Sequence, residues 1–147
     1  MIELQNNNKV KFFSLLFFKL FLLGIVSIMV FTILYNSFFN PFSQNDQNMT
    51  VISFSTFRLL RSILLTPLVE EVIFRLGIQN LFKQLSKSNI VAILFTSLIF
   101  AFAHNDTMFF PYFFNSIVYG LLYVKSGNLL KMPFSLHMAN NFLSVLM

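Results

Sequence analysis

Long apolar runs dominate the sequence and leave the chain few ways to fold. A helix that crosses the roughly 30 Å hydrocarbon core of a bilayer needs about 20 mostly apolar residues. Five stretches approach this requirement, and they lie at residues 12–35, 56–81, 90–104, 109–124 and 129–147. None alternates apolar and polar residues with a period of two, and backbone groups in lipid need partners within their own segment. The sequence therefore predicts an all-α integral-membrane helical bundle of about five spans.

The composition agrees with this prediction. Of the 147 residues, 56% are hydrophobic and only 10% are charged, whereas a soluble domain has roughly 25% charged residues. Too little polar surface is available to cover a water-soluble globule, which excludes a soluble enzyme, a disordered regulator and a nucleic-acid-binding protein. We expect membrane lipid as the surrounding partner and no nucleic acid. Because the chain has no cysteine, disulfides, thiolate metal sites and cysteine nucleophiles are excluded as well.

Basic residues occur in every second loop. The lysines next to the apolar stretches are Lys9, Lys11, Lys83, Lys87, Lys125 and Lys131. The loops between these basic segments contain Asp46 and Asp106 and no Lys or Arg. The positive-inside rule then predicts a multi-pass cell-membrane protein with a cytoplasmic N-terminus. We expect residues 1–55 to form a first span and an external loop, and residues 56–147 to form the core domain.

Three ionisable groups lie close together inside the second apolar stretch. Glu70, Glu71 and Arg75 lie near its middle, where each charge costs on the order of 3 kcal/mol on insertion scales. Glu71 and Arg75 are four residues apart, so they can form an ion pair on one helix face. Glu70 points about 100° away from Glu71 on an ideal helix. The pair explains two of the three groups and leaves Glu70 free to face something else.

Three further polar groups lie in other apolar stretches. His104 ends the third stretch, and His137 and Asn141 are four residues apart in the fifth, so one helix face can present both. At about 1.5 Å per residue, these groups and Glu70 fall in a similar layer of the bilayer. The coincidence predicts a shared polar cavity.

Two chemistries fit such a cavity, and spacing alone does not separate them. In the first, Glu70 is a general base, because removal from water makes a carboxylate more basic. His104 orients the attacking water, and His137 and Asn141 donate hydrogen bonds to the oxyanion. In the second, a zinc ion is bound by Glu70, His104 and His137 with water in the fourth position. Both hydrolyse a peptide bond.

Three motifs in order along the chain carry a family resemblance. They are Glu70-Glu71-Val-Ile-Phe-Arg75, Phe100-Ala-Phe-Ala-His104 and His137-Met-Ala-Asn-Asn141. They resemble the CPBP family of intramembrane proteases, which includes CAAX prenyl endopeptidases, bacteriocin-processing and bacteriocin self-immunity proteins, and the Abi group. The resemblance covers roughly residues 62–147 and implies a core of four helices.

The resemblance also implies roles for these residues. Glu70 is the base that activates water with the help of His104, and His137 and Asn141 form the oxyanion site. The remaining two motif residues, Glu71 and Arg75, support them. The resemblance favours a glutamate mechanism without a cofactor, with zinc as the alternative. The substrate is expected to be a peptide or protein, such as a bacteriocin leader or a membrane peptide.

Two other functions compete with the protease. The chain is short for the family, Leu76 interrupts a common Arg-Gly pair, and six residues follow Asn141. These departures raise the chance of a fragment, or of a second hypothesis, a non-catalytic bacteriocin self-immunity protein of the same fold. A third hypothesis is a proton or cation conduit, since intramembrane Glu and His also build relays, but no inverted repeat supports it.

Overall fold

The computed structural model describes residues 2–39, 56–104 and 108–146, except for the side chains of residues 2–14 and 39. Within these ranges all regular structure is helical, which confirms the predicted all-α fold. The helical segments are α1 (Ile2–Phe39), α2 (Thr56–Leu60), α3 (Thr66–Glu71), α4 (Asn80–Ser86), α5 (Asn89–His104), α6 (Phe109–Lys125) and α7 (Lys131–Leu146). Asp46 and Asp106 lie outside the described residues, as do the side chains of Lys9 and Lys11.

The segments α2, α3 and α4 form one continuous rod, here called the second rod. Two π-helical stretches, Arg61–Leu65 and Val72–Gln79, join them. Pro67 follows the first stretch in the opening turn of α3. Because proline has no amide hydrogen and its ring crowds the preceding turn, a locally widened helix accommodates it without a break. The rod extends to Ser86, five residues beyond the predicted end of the second span.

The helices form a bundle whose apolar core lies between α1, α6 and α7. The buried residues at its centre are Ile28, Tyr119, Leu122, Met132 and Leu136. Gly24 in α1 permits the close approach, since a Cβ atom there would lie 2.7 Å from the Leu136 side chain. The first helix therefore packs directly on two later helices.

Tight turns join α4 to α5 and α6 to α7. Lys87, with a φ of 57°, ends α4 before α5 begins. Gly127 and Asn128, with φ of 77° and 64°, reverse the chain between α6 and α7. The Ser126 hydroxyl lies within hydrogen-bond distance of the Tyr123 and Leu129 carbonyl oxygens and holds this second turn.

The bundle buries charged side chains beside its apolar core and exposes a largely apolar surface. Its buried residues include Glu71, Arg75 and His137, whereas many large aliphatic and aromatic side chains are exposed. Soluble proteins rarely bury such charges or expose so much apolar surface, and a bilayer reverses both preferences. Among the described residues one helix, Leu15–Phe38, is long and apolar enough to cross a membrane by length and composition, and α5 is a shorter apolar helix.

Candidate active site

The buried ion pair predicted from sequence is present in the second rod. The Arg75 Nε donates to Glu71 Oε2 at 2.9 Å, and both residues are fully buried. Their spacing of four residues across the junction of α3 and the second π-helical stretch brings the two groups together. The pair neutralises the charges that made this segment costly to bury.

The remaining donors of Arg75 hold the rod against α6. Nη1 donates to Gln79 Oε1 and Nη2 donates to the Ser116 hydroxyl, each at 2.9 Å. The Gln79 amide in turn donates to the carbonyl oxygen of Gly120 at 3.3 Å. Sequence reasoning missed Gln79 and Ser116. A polar residue four positions after Arg75 was the available signal for Gln79, whereas Ser116 is 41 residues away from Arg75 and had none.

His137 of α7 bridges the two neighbouring carboxylates. Its Nδ1 lies 2.9 Å from Glu71 Oε1, and its Nε2 lies 3.5 Å from Glu70 Oε2. A carboxylate that already accepts from Arg75 accepts from Nδ1 as well, so we assign the Nδ1 hydrogen to this bond. Nε2 and Glu70 Oε2 then face each other, and a proton on either atom allows a hydrogen bond between them.

The two carboxylates differ in access. The Glu71 side chain is 1% exposed and both its oxygens have partners, whereas the Glu70 side chain is 21% exposed. Glu70 therefore has free capacity to bind a water or a substrate group. The sequence prediction that Glu70 is not part of the Glu71–Arg75 pair agrees with this arrangement.

His104 ends α5 and, like His137, lies beside the Phe100 ring. Its Nδ1 is 2.8 Å from the Phe100 carbonyl oxygen, so Nδ1 donates and a neutral ring has its lone pair at Nε2. The Phe100 ring lies 4.5 Å from the His104 ring and 6.0 Å from the His137 ring, between centroids. Both imidazoles are near enough to the Glu70 carboxylate to interact with it when they are charged. The structure thus brings Glu70, His104 and His137 into one neighbourhood, although His104 makes no direct contact with Glu70.

Two tyrosines of α6 support the imidazoles, and sequence reasoning missed both roles. Tyr112 stacks on His104 with centroids 4.0 Å apart and planes 24° apart. Tyr119 stacks on His137 at 4.7 Å and 20°. Their spacing of seven residues, two helical turns, places them along one face of α6. That spacing was the available signal, but a tyrosine in an apolar helix usually indicates simple packing.

Asn141, one turn after His137 in α7, binds the second rod. Its amide nitrogen donates to the Ser62 carbonyl oxygen at 3.0 Å, in the first π-helical stretch of the second rod. The widened turn there frees carbonyl groups from the regular helical pattern, and Asn141 satisfies one of them. The amide therefore joins α7 to the rod at the edge of the site.

The three residues of the zinc alternative do not form a ligand cluster. Among the described residues no group of three or more His, Cys, Asp or Glu side chains is arranged to hold a metal ion. His137 directs both nitrogens at carboxylates, and His104 uses Nδ1 within its own helix.

Comparison with known proteins identifies the class to which this bundle and its polar centre belong. The family model described as type II CAAX prenyl endopeptidase Rce1-like matches residues 52–143, and the chain belongs to this family of membrane helical bundles. This confirms the resemblance found in the motifs.

The chain is also similar in sequence to a curated protein. The chain is 40% identical over 81 residues to the membrane-embedded CAAX protease MroQ of Staphylococcus aureus (strain USA300). The match covers 51% of this chain and 32% of MroQ, so the chain spans about a third of that relative's length. No solved structure matches the chain.

Proposed function

We propose that the chain is a CAAX-type membrane endopeptidase that hydrolyses a peptide bond with water activated by Glu70. The observation that carries the proposal is the unequal pair of neighbouring carboxylates around His137. Both oxygens of Glu71 have partners, and this carboxylate fixes the His137 imidazole. Glu70 faces Nε2 of His137 and can still accept a hydrogen bond from a water or a substrate group. Family membership supports the reaction class.

In the proposed reaction, Glu70 takes a proton from a water molecule while the water oxygen attacks the substrate carbonyl carbon. The Nε2 of His104 accepts a hydrogen bond from the same water and orients it. As the tetrahedral intermediate collapses, Glu70 returns the proton to the leaving nitrogen. Atoms balance without a further reactant, since water supplies both the hydroxyl of the new acid and the proton of the new amine.

The developing oxyanion needs donors within about 3 Å. His137 supplies one when Nε2 carries a proton and donates it to the oxyanion instead of to Glu70, and Glu71 holds the ring in place through Nδ1. Asn141 supplies a second through the amide hydrogen that Ser62 does not use. We propose that Glu71 and Arg75 position His137 and do not contact the substrate.

Access to Glu70 favours a substrate that arrives beside α5. Among the described residues, α5 packs on the second π-helical stretch and on α4 but not on α3 or the segments before it. The Glu70 side chain keeps an exposed edge at which such a substrate can approach. We propose a peptide or protein substrate at the membrane, with a bacteriocin leader or membrane peptide as the finer prediction.

The proposal is tested with the full chain purified in detergent and two probes, a farnesylated CAAX peptide and an unmodified hydrophobic peptide. Cleavage is followed by mass spectrometry. Glu70→Ala and His104→Ala are expected to abolish cleavage, while the matched control Lys125→Ala retains it. Normal cleavage by both site variants would contradict the mechanism.

Metal dependence is tested in the same assay. We propose a reaction without a bound metal, so activity is expected to persist after chelation, and metal analysis is expected to find no stoichiometric zinc. Activity lost on chelation and restored by zinc would favour the alternative with Glu70, His104 and His137 as ligands.

A bacteriocin-protection assay in cells tests the self-immunity alternative. If Glu70→Gln retained full protection against a bacteriocin, a non-catalytic self-immunity protein would be favoured instead.

A further inference from the structure

One end of the second rod, which the loop charges predict to be cytoplasmic, has an open cavity away from the active site. Its volume is about 390 Å³, and Asn80, Lys83, Gln84 and Lys87 line it. These positions are separated by three or four residues, so they share one face of α4. All four side chains carry hydrogen-bond donors, and none carries a negative charge.

The two lysines of this cavity lack an acidic partner in the part of the chain with described side chains. The carboxylates described there are Glu70 and Glu71, and both face His137. A concave surface with two cations and two amides is suited to an anion with several oxygen acceptors. A phosphate group has this chemistry.

One lining residue is held in place from α6. The Asn80 amide donates to the Tyr123 hydroxyl at 3.1 Å and to the Leu76 carbonyl oxygen at 3.2 Å. The Lys87 backbone, in the left-handed region, closes the end of α4 with a bond from its amide to the Lys83 carbonyl oxygen. Hydrogen bonds therefore fix the Asn80 side chain and the Lys87 backbone at this cavity.

Exposed apolar side chains precede the cavity on the same rod. Val69, Ile73 and Leu76 are 55%, 49% and 45% exposed, and they lie one to three turns before Asn80. A molecule with a phosphate at one end and acyl chains at the other matches this order of polar and apolar surface. Free phosphate matches only the polar part.

We propose that the cavity formed by Asn80, Lys83, Gln84 and Lys87 binds the phosphate headgroup of an anionic phospholipid. The lipid would lie along the second rod, with its acyl chains against the exposed apolar residues. This site does not depend on the hydrolytic mechanism, because none of its residues contacts Glu70, His104 or His137.

The test uses the full chain in detergent and native mass spectrometry, with phosphatidylglycerol, phosphatidylcholine and inorganic phosphate as probes. Wild-type protein is expected to retain phosphatidylglycerol in preference to phosphatidylcholine. The double variant Lys83→Gln/Lys87→Gln should weaken retention roughly 30-fold, about fivefold for each lysine near an anionic lipid surface. Circular dichroism checks that the variant is folded.

The matched control is Lys125→Gln/Lys131→Gln, which removes the same charge from the turn between α6 and α7 and leaves the cavity intact. Retention of phosphatidylglycerol by this control at the wild-type level would support a specific site. An equal loss in both double variants would overturn the proposal in favour of general charge attraction. Equal retention of the two lipids, or competition by inorganic phosphate at equal concentration, would also overturn it.

Discussion

Glu70 and Glu71 are neighbours in the chain, and the helix directs them into different surroundings. Glu71 meets Arg75 and His137 and is sealed from the exterior, whereas Glu70 retains an exposed edge. The Glu71–Arg75 contact could be predicted from sequence because it is local, at four residues. The Glu71–His137 contact spans 66 residues, and only the packing of α7 on the rod determines which carboxylate takes Nδ1.

Gly120 of α6 packs closely against the side chains of Arg75 and Gln79. A Cβ atom there would lie 2.9 Å from Gln79 Oε1 and 3.2 Å from Arg75 Nη1. Gly120→Ala is therefore expected to displace the Gln79–Arg75 contact and to destabilise the protein by about 1–3 kcal/mol. Thermal unfolding in detergent measures the change.

Gly77→Ala provides the control, since nothing lies within 4 Å of its Cβ position. Alanine in a helix without a clash is expected to be neutral or to stabilise by up to about 1 kcal/mol. If the two alanine variants unfolded at the same temperature, Gly120 would not be a packing constraint.

At the scale of elements, the sequence did not indicate that α6 contacts the site. It carries none of the three motifs, yet Tyr112 and Tyr119 stack on the two imidazoles and Ser116 binds Arg75. The existence and approximate ends of the helices were predictable from apolar length. The face of α6 that contacts the site was not predictable, because tyrosine and serine in an apolar helix have no distinctive pattern.

The stacking of Tyr112 gives an element-scale prediction. Tyr112→Leu removes the aromatic face and should lower kcat about tenfold with little change in KM, because His104 then samples unproductive orientations. Tyr112→Phe keeps the face and is expected to restore most of the activity. NMR chemical shifts of the His104 ring provide a readout independent of cleavage.

The control for this prediction is Tyr123→Leu, since Tyr123 lies in the same helix but contacts Asn80 instead of an imidazole. It is expected to leave the His104 ring shifts unchanged. Tyr112→Leu with wild-type kcat and ring shifts would show that stacking does not position His104.

At the scale of the whole molecule, the sequence predicted a membrane bundle because too few polar residues were available to cover it. The bundle and family membership were confirmed, whereas the orientation and the boundary at residue 55 stay predictions. The packing of α1 on α6 and α7 through Gly24 was not foreseen. A glycine in a long apolar run gives no indication of which later helix approaches it.

The orientation of the chain in the membrane can be measured by cysteine labelling, because the chain has no cysteine of its own that would react. Ser37→Cys, at the end of α1, and Ser86→Cys, at the end of α4, place single thiols at exposed positions. The positive-inside rule predicts that an impermeant maleimide added to intact cells labels the Ser37→Cys variant and does not label the Ser86→Cys variant. The reverse labelling pattern would show that the topology is inverted.

The central claim is that the two adjacent carboxylates have separate tasks, with Glu70 in chemistry and Glu71 in structure. Its most direct test measures kcat and the unfolding temperature for Glu70→Gln and Glu71→Gln in parallel. We expect Glu70→Gln to lose at least about 100-fold in kcat, as loss of a general base does, with wild-type stability. Glu71→Gln should instead lose about 3–5 kcal/mol of stability, because Arg75 is left buried without its counter-charge. Full activity in Glu70→Gln, or unchanged stability in Glu71→Gln, would contradict the account.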